Sequence, residues 1–215
     1  VLSTGMSTLG EVKAALSVLA FGLTGGISPS IHAFNEAFAS KAGQEALRAH
    51  VTLLHCTTQY PAPFDSVNLK VLVSMQAAFG LRIGYSDHTP GSVVVSAAVA
   101  LGARVIEKHF TLDKNFPGPD HKASLEPSEL RQMVDSIRTV EQSLGNGEKV
   151  PHDTELDNRS VARKSLVAAR AITKGELFSP DSVAVKRPGI GRSPMEYWDI
   201  LGRKSNKPYE FDEFL

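Results

Sequence analysis

The sequence predicts an α/β protein: a parallel sheet of four βα units in series, followed by a small β-rich domain. Three observations predict it. Short β-type runs at 1–4 ("VLST"), 51–55 ("VTLLH"), 82–85 ("RIGY") and 104–107 ("RVIE") each lead through a loop into a helical pattern. Such alternation, with strands that are apolar rather than alternating, implies a parallel sheet. After Gly145 the pattern stops, and the polar, aperiodic "NGEKVPHDTELDNRS" separates it from residues 161–215. Four βα units in series make half of a (β/α)8 barrel, where functional residues occupy the loops after the strands. A doubly wound sheet is the alternative.

The first unit pairs "VLST" with a helix from about Thr8 to Leu19, opened by Thr8 and Glu11 as a T-x-x-E capping box. The stretch "TGGISPSIHAFNEAFASKAGQEALRAH" then inserts a Gly/Ser/Pro loop and one or two further helices. In the second unit "CTTQYPAPF" leads into a helix with Leu69, Leu72, Val73 and Phe79 on one face. The third unit runs through "SDHTPG" into a small-residue helix at 91–101. The fourth runs through "IEKHFTLDKNFPGPDH" into a helix entered at Pro127, where a proline forfeits no hydrogen bond. Leu130, Met133, Val134, Ile137 and Val140 form its expected inner stripe. The domains are therefore 1–145, a linker at 146–160, and 161–215, whose short strands are broken by "KGE" and "SPD" turns.

At 215 residues, 42% apolar and 21% charged, the chain can bury a full core and is not disordered. Basic and acidic residues balance at 23 each, so nucleic acid and anionic membranes are not expected partners. No apolar run is long enough to span a bilayer. Cys56 is the single cysteine, which excludes an internal disulfide and fits a reducing cytoplasm. The chain opens on Val1 in what reads as a strand already under way, so a piece of a longer protein is expected.

The chemistry centres on two histidines. His88 follows the third strand as His109 follows the fourth, and 109 − 88 = 21 residues is one βα unit. In a barrel, adjacent strand ends would put both imidazoles on one rim, near enough to share a first-row divalent ion with room for water or a substrate oxygen. The competing reading is two hydrogen-bonded histidines on polar loops. Asp87 and Asp120 are candidates to accept hydrogen bonds from a polyol or to support a ligand, or are turn aspartates. His121 and His55 lack the repeated spacing of a metal site. Ser3 and Ser86 end strands where hydroxyls and loop N–H groups can hold a phosphate, and Tyr60 can pack on a sugar or anchor its turn. "GLTGG" lacks the glycine spacing of a nucleotide loop. Arg187, before a rigid turn, suits a carboxylate or acyl carbonyl; a surface arginine is the alternative.

Taken in order, "STGM", "LLHCTTQYPAPF", "GYSDHT", "EKHFTLDKNFPGPDHKASLEP" and "VKRPGIG" strongly resemble the sialic acid synthase family, which includes N-acetylneuraminate, legionaminate and pseudaminate synthases. The resemblance covers nearly the whole chain. It implies the last four βα units of a TIM barrel joined to a C-terminal antifreeze-like (SAF) domain. The implied reaction is a C–C bond-forming transfer: carbon 3 of phosphoenolpyruvate attacks the aldehyde of N-acetylmannosamine or a related N-acyl amino sugar. Water adds at carbon 2 and phosphate leaves, giving a nonulosonic acid. By this resemblance His88 and His109 are the catalytic metal ligands for a divalent ion, manganese first, with magnesium or cobalt as substitutes. Ser3 and Ser86 match residues that hold phosphoenolpyruvate. Thr58 falls where the family commonly has asparagine; it keeps one donor and loses the amide geometry. Tyr60 and Asp120 match sugar contacts, and Arg187 matches an arginine reaching the acyl group in the partner's site, which implies a domain-swapped homodimer.

The family's first-strand glutamate and its phosphate-neutralising lysines belong to the barrel half that this sequence does not resemble. The chain alone is therefore expected to be inactive. A rival reading is a non-catalytic carbohydrate-binding or interaction module that kept half of the barrel. A related heptulosonate-type aldolase is disfavoured by the antifreeze-like tail.

Overall fold

The computed structural model describes residues 1–215, which divide into two units, Val1–Gly147 and Glu148–Leu215. In the first, β1 (Leu2–Ser3), β2 (Thr52–Cys56), β3 (Arg82–Asp87) and β4 (Ile106–Lys108) form one parallel sheet in the order β1-β2-β3-β4. Each strand lies beside its predecessor. Right-handed crossovers that all step in one direction put their helices on one face. The sheet therefore lacks the reversal of strand order that defines a doubly wound fold.

The helices between the strands follow local signals. Helix α1 (Leu9–Leu23) opens on the expected capping box: the Glu11 amide donates to Thr8 Oγ1 at 3.3 Å, and the Thr8 amide to Glu11 Oε2 at 2.7 Å. It runs about a turn past Leu19. The insertion contains two helices, α2 (Ile31–Ala39) and α3 (Lys41–His50), each opened by a serine, Ser30 and Ser40, that accepts an amide hydrogen bond. Helix α4 (Lys70–Phe79) stops at Gly80, whose φ of 61° suits glycine. Helices α5 (Val93–Ala100) and α6 (Pro127–Ser143) complete the unit, with Pro127 in the first turn of α6.

The core lies between these helices and the sheet. Val12, Leu16 and Ala20 of α1, Leu47 of α3, Leu72 and Met75 of α4, and Ala98 of α5 pack with Leu53, Ile83 and Tyr85 of the strands. Two expected core positions differ. Val73 is 51% exposed, because the inner row of α4 is Leu72 and Met75, and one step from Leu72 turns the next side chain by about 100°. Val134 lies on the flank of the α6 stripe and is likewise exposed, while Met133, Leu130 and Ile137 pack with Val95 and Leu125.

The second unit contains α7 (Asp153–Ala162), the antiparallel pair β5 (Ser165–Ala168) and β6 (Val183–Lys186), and α8 (Tyr197–Ile200). Single bridges Ile172↔Tyr209, Leu177↔Lys204 and Val167↔Phe214 tie the remaining extended chain around a core of Leu166, Ile172, Phe178, Val183, Ile200 and Tyr209. Helix α7 occupies most of the stretch that sequence reads as an aperiodic linker. None of its residues is buried, so it has no apolar stripe; its start is set instead by capping between His152 and Glu155. No helix is long and apolar enough to cross a membrane.

Candidate active site at the ends of β3 and β4

Strands β3 and β4 pair in constant register: Tyr85↔Ile106, Ser86↔Glu107 and Asp87↔Lys108. One step further along both chains come His88 and His109. Successive strand residues point to opposite faces, and the contacts follow that rule rung by rung. The Ser86 hydroxyl donates to Glu107 Oε1 at 2.6 Å. The Lys108 ammonium donates to Asp87 Oδ2 at 2.8 Å. The His88 and His109 rings then meet edge to face, centroids 5.4 Å apart and planes at 89°. Tyr60, on the loop after β2, completes the group, its ring 4.2 Å from His88 and 5.4 Å from His109.

His88 has a fixed tautomer. Its Nδ1 lies 2.7 Å from the Thr57 carbonyl oxygen, which can only accept, so Nδ1 carries the proton. The Nε2 lone pair is thereby left for a Lewis acid, the arrangement common for metal-binding histidines. Two imidazoles with no third histidine, cysteine or carboxylate grouped with them make an open site. Such a donor set fits a first-row divalent ion whose other positions are taken by water or substrate oxygen.

Asp87 is not the polyol contact that the sequence allows. It is 0% exposed, and Oδ1 accepts from the Tyr85 hydroxyl (3.0 Å), the Thr89 amide (2.9 Å) and the Thr89 hydroxyl (2.8 Å). Burial first, and then the Asp87 carboxylate, hold the Tyr85 phenol well above its ordinary range, so Tyr85 remains a neutral donor. Sequence reasoning missed Glu107, Lys108, Tyr85 and Thr89. The signal for two of them was present: Ser86–Glu107 and Asp87–Lys108 have the same separation of 21 as the histidines.

The other candidates are distributed. Ser3 ends β1 opposite Leu54 and is exposed. Thr58 is exposed near the β1 loop; a Cβ on Gly5 would come within 2.3 Å of its Oγ1, so a larger residue there would require the Thr58 hydroxyl to turn away. Beside them is a cleft of about 460 Å3 lined by Thr4, His55, Cys56, Thr57, Thr58 and Asn68. A second cleft of about 350 Å3 is lined by Tyr60, Pro61, Lys114, Lys122 and Ser124. Asp120 is exposed at the start of a short turn, its carbonyl accepting from the Ser124 hydroxyl at 2.7 Å. His121 and His55 are engaged elsewhere, with Thr111 Oγ1 at 2.7 Å and the Val67 carbonyl at 2.6 Å. Arg187, in the second unit, is exposed and donates from Nε to the Ala162 carbonyl at 2.9 Å.

Comparison with known proteins shows the family of the chain. The NeuB family pattern matches residues 1–149 and the SAF domain pattern residues 163–215. The N,N'-diacetyllegionaminic acid synthase of Campylobacter jejuni is 49% identical over 215 residues, which is 100% of this chain and 58% of that protein. The enzyme of the same name from Legionella pneumophila is 41% identical over 95% of this chain and 52% of its own length. Human N-acetylneuraminate-9-phosphate synthase is 39% identical over 79% of this chain and 48% of its own. The chain thus spans about half the length of the curated relatives it matches. A solved N-acetylneuraminic acid (sialic acid) synthetase from Leptospira borgpetersenii, crystallised with citrate, superposes with a TM-score of 0.53 at 28% identity. It covers 73% of this chain, and this chain covers 55% of it. A spore coat polysaccharide biosynthesis protein E from Chromobacterium violaceum shares the fold, with a TM-score of 0.59 at 20% identity over 100% of this chain and 66% of its own. By its motifs, its parallel sheet and these matches, the chain belongs to the NeuB family of sialic acid synthases and carries a SAF domain after the α/β unit.

Proposed function

We propose that this chain supplies the last four βα units of a TIM barrel, together with the SAF domain, to a nonulosonic acid synthase. That enzyme condenses phosphoenolpyruvate with N-acetylmannosamine or a related N-acyl amino sugar, giving N-acetylneuraminate or legionaminate plus phosphate. The observation that carries the proposal is the pairing of His88 and His109 under Tyr60 at the ends of adjacent parallel strands. Barrel enzymes build their chemistry at that end of the strands.

In this reading His88 and His109 hold a divalent ion, manganese first and magnesium or cobalt as substitutes. When bound, the ion supplies Lewis-acid polarisation of a sugar carbonyl. The chain's own residues do the positioning. The Thr57 carbonyl keeps the His88 Nε2 lone pair turned outward. Tyr60 offers the sugar a flat apolar face, and Asp120 can accept from its hydroxyls. Ser3, Ser86 and Thr58 donate to the phosphoenolpyruvate anion. For Ser86 this means turning its proton from Glu107 toward the ligand, so Glu107 acts as a stand-in acceptor between turnovers. Arg187 reaches the acyl group in the partner subunit's site of a swapped homodimer. The acid/base glutamate and the phosphate-neutralising lysines come from the other half of the barrel, and the setting is the reducing cytoplasm.

The test is phosphate release from phosphoenolpyruvate and N-acetylmannosamine with manganese, in the full-length synthase and its His109→Ala variant. Loss of most metal binding and of turnover is expected, since one imidazole plus water holds a divalent ion weakly. A variant that kept its manganese and full turnover would sink the assignment.

A further inference from the structure

We propose that the buried Asp87–Lys108 ion pair is a positioning device that clasps the ends of β3 and β4 and so sets the distance and angle between His88 and His109. The inference rests on reading those histidines as metal ligands. Each member of the pair immediately precedes one histidine, and the two are register partners on the last rung of the ladder. Their side chains are 0% and 3% exposed.

Stability alone does not account for such a pair, because well-packed apolar side chains of similar volume commonly do as well in a buried site. What the ions add is directionality. Asp87 Oδ1 holds both the amide and the hydroxyl of Thr89, and Lys108 donates to Asp87 Oδ2 and to the Thr89 carbonyl. The chain on both sides of His88 is therefore tied to the residue that precedes His109. The Tyr85 hydroxyl donates to the same Oδ1 from two rungs below. With the Thr57 carbonyl orienting the His88 ring itself, both the backbone and the imidazole are fixed.

The test measures Mn2+ binding by electron paramagnetic resonance in the full-length protein, beside an unfolding midpoint for each variant. The working variant is Asp87→Asn with Lys108→Met, which removes both charges and roughly keeps volume. A fall in Mn2+ affinity of about 10- to 100-fold is expected, the range for groups that orient metal ligands. Affinity at the wild-type level, whatever happens to the midpoint, would assign the pair a purely structural role and overturn the proposal. If the double variant does not fold, Thr89→Val carries the test. It deletes one hydrogen bond to Asp87 and leaves the ion pair, and a several-fold weaker Mn2+ affinity is then required. His109→Ala separates the two levels of the argument. If it binds Mn2+ like wild type, the metal reading fails and takes the clasp with it. If it loses Mn2+ while the clasp variants do not, only the clasp fails.

Discussion

Gly84 shows how little slack the site has. It lies buried in the middle of β3, two residues before Ser86, and a Cβ there would meet Leu54 Cδ2 at 2.4 Å and the Val105 carbonyl oxygen at 2.5 Å. Backbone cannot yield as a flexible side-chain tip can. Gly84→Ala is therefore expected to destabilise the α/β unit by about 1–3 kcal/mol, the usual cost of overpacking, as read from a urea midpoint. A sharper residue-scale expectation concerns Lys108. Removing it alone, as Lys108→Met, leaves Asp87 charged and buried without its cation. The expected loss is about 3–5 kcal/mol, and Asp87→Asn in the same chain should restore much of it. A single variant as stable as wild type would show that the three hydrogen bonds to Asp87 Oδ1 suffice for the carboxylate. The histidines were legible in the sequence for a physical reason. In a parallel pair joined by one helix, register is an offset in residue number, so the 21 that relates His88 to His109 is the offset of the ladder itself. The same offset reached Glu107 and Lys108, but the sequence does not say which side chains a sheet buries.

At the scale of elements, the loop after β4 is fastened to α6 at its first turn. Lys114 Nζ donates to Glu129 Oε1 at 2.5 Å, the Glu126 amide donates to Glu129 Oε2 at 2.9 Å, and the Lys114 amide donates to Glu126 Oε1 at 3.0 Å. The Lys114 ammonium first, and then the Glu126 amide, hold the Glu129 carboxyl below the usual glutamate range. A carboxyl depressed in the folded state adds stability above its unfolded pKa, and loses it as pH falls through the folded value. The fastening is thus complete at neutral pH and weakens on acidification below the ordinary glutamate value of about 4.3. Both side chains are partly exposed, so screening keeps the effect modest. The unfolding midpoint of wild type should exceed that of Glu129→Gln at pH 7, and the gap should narrow toward pH 3. A gap that is constant with pH would assign the difference to the cap geometry rather than to the charge. This helix start was readable from Pro127, since proline has few other places in a helix. Helix α7 was not readable, because a helix with no buried face has no period to detect.

For the whole molecule, the decisive feature is a parallel sheet of four strands with two outer edges. One edge is β1, which the exposed Val1 precedes, and the other is β4, met beyond its end by a single bridge between Phe110 and Leu125. Parallel sheets are normally covered and flanked, and open edges invite pairing with another chain. The sequential strand order was legible from the βα rhythm, whereas what flanks the outer strands was not, since edge pairing depends on residues beyond the strands themselves. Under the proposed function the flanking strands come from the other half of a barrel, and with them the acid/base glutamate and the phosphate-binding lysines. Two expectations follow from that division. Mixed dimers of Arg187→Ala and His109→Ala full-length subunits should regain activity, because one intact site can draw its histidines from one subunit and its arginine from the other; no regain would exclude action in trans. The 215-residue chain by itself should release no phosphate from phosphoenolpyruvate and N-acetylmannosamine with manganese. Its serines and threonine can donate hydrogen bonds to a phosphate, but they bring no cation to offset the charge, and charge-assisted contacts are much the stronger kind. Turnover by the chain within about tenfold of the full-length synthase, a difference of about 1.4 kcal/mol in barrier, would mean that the missing cations contribute almost nothing. The chemistry would then reside in the histidine rung alone.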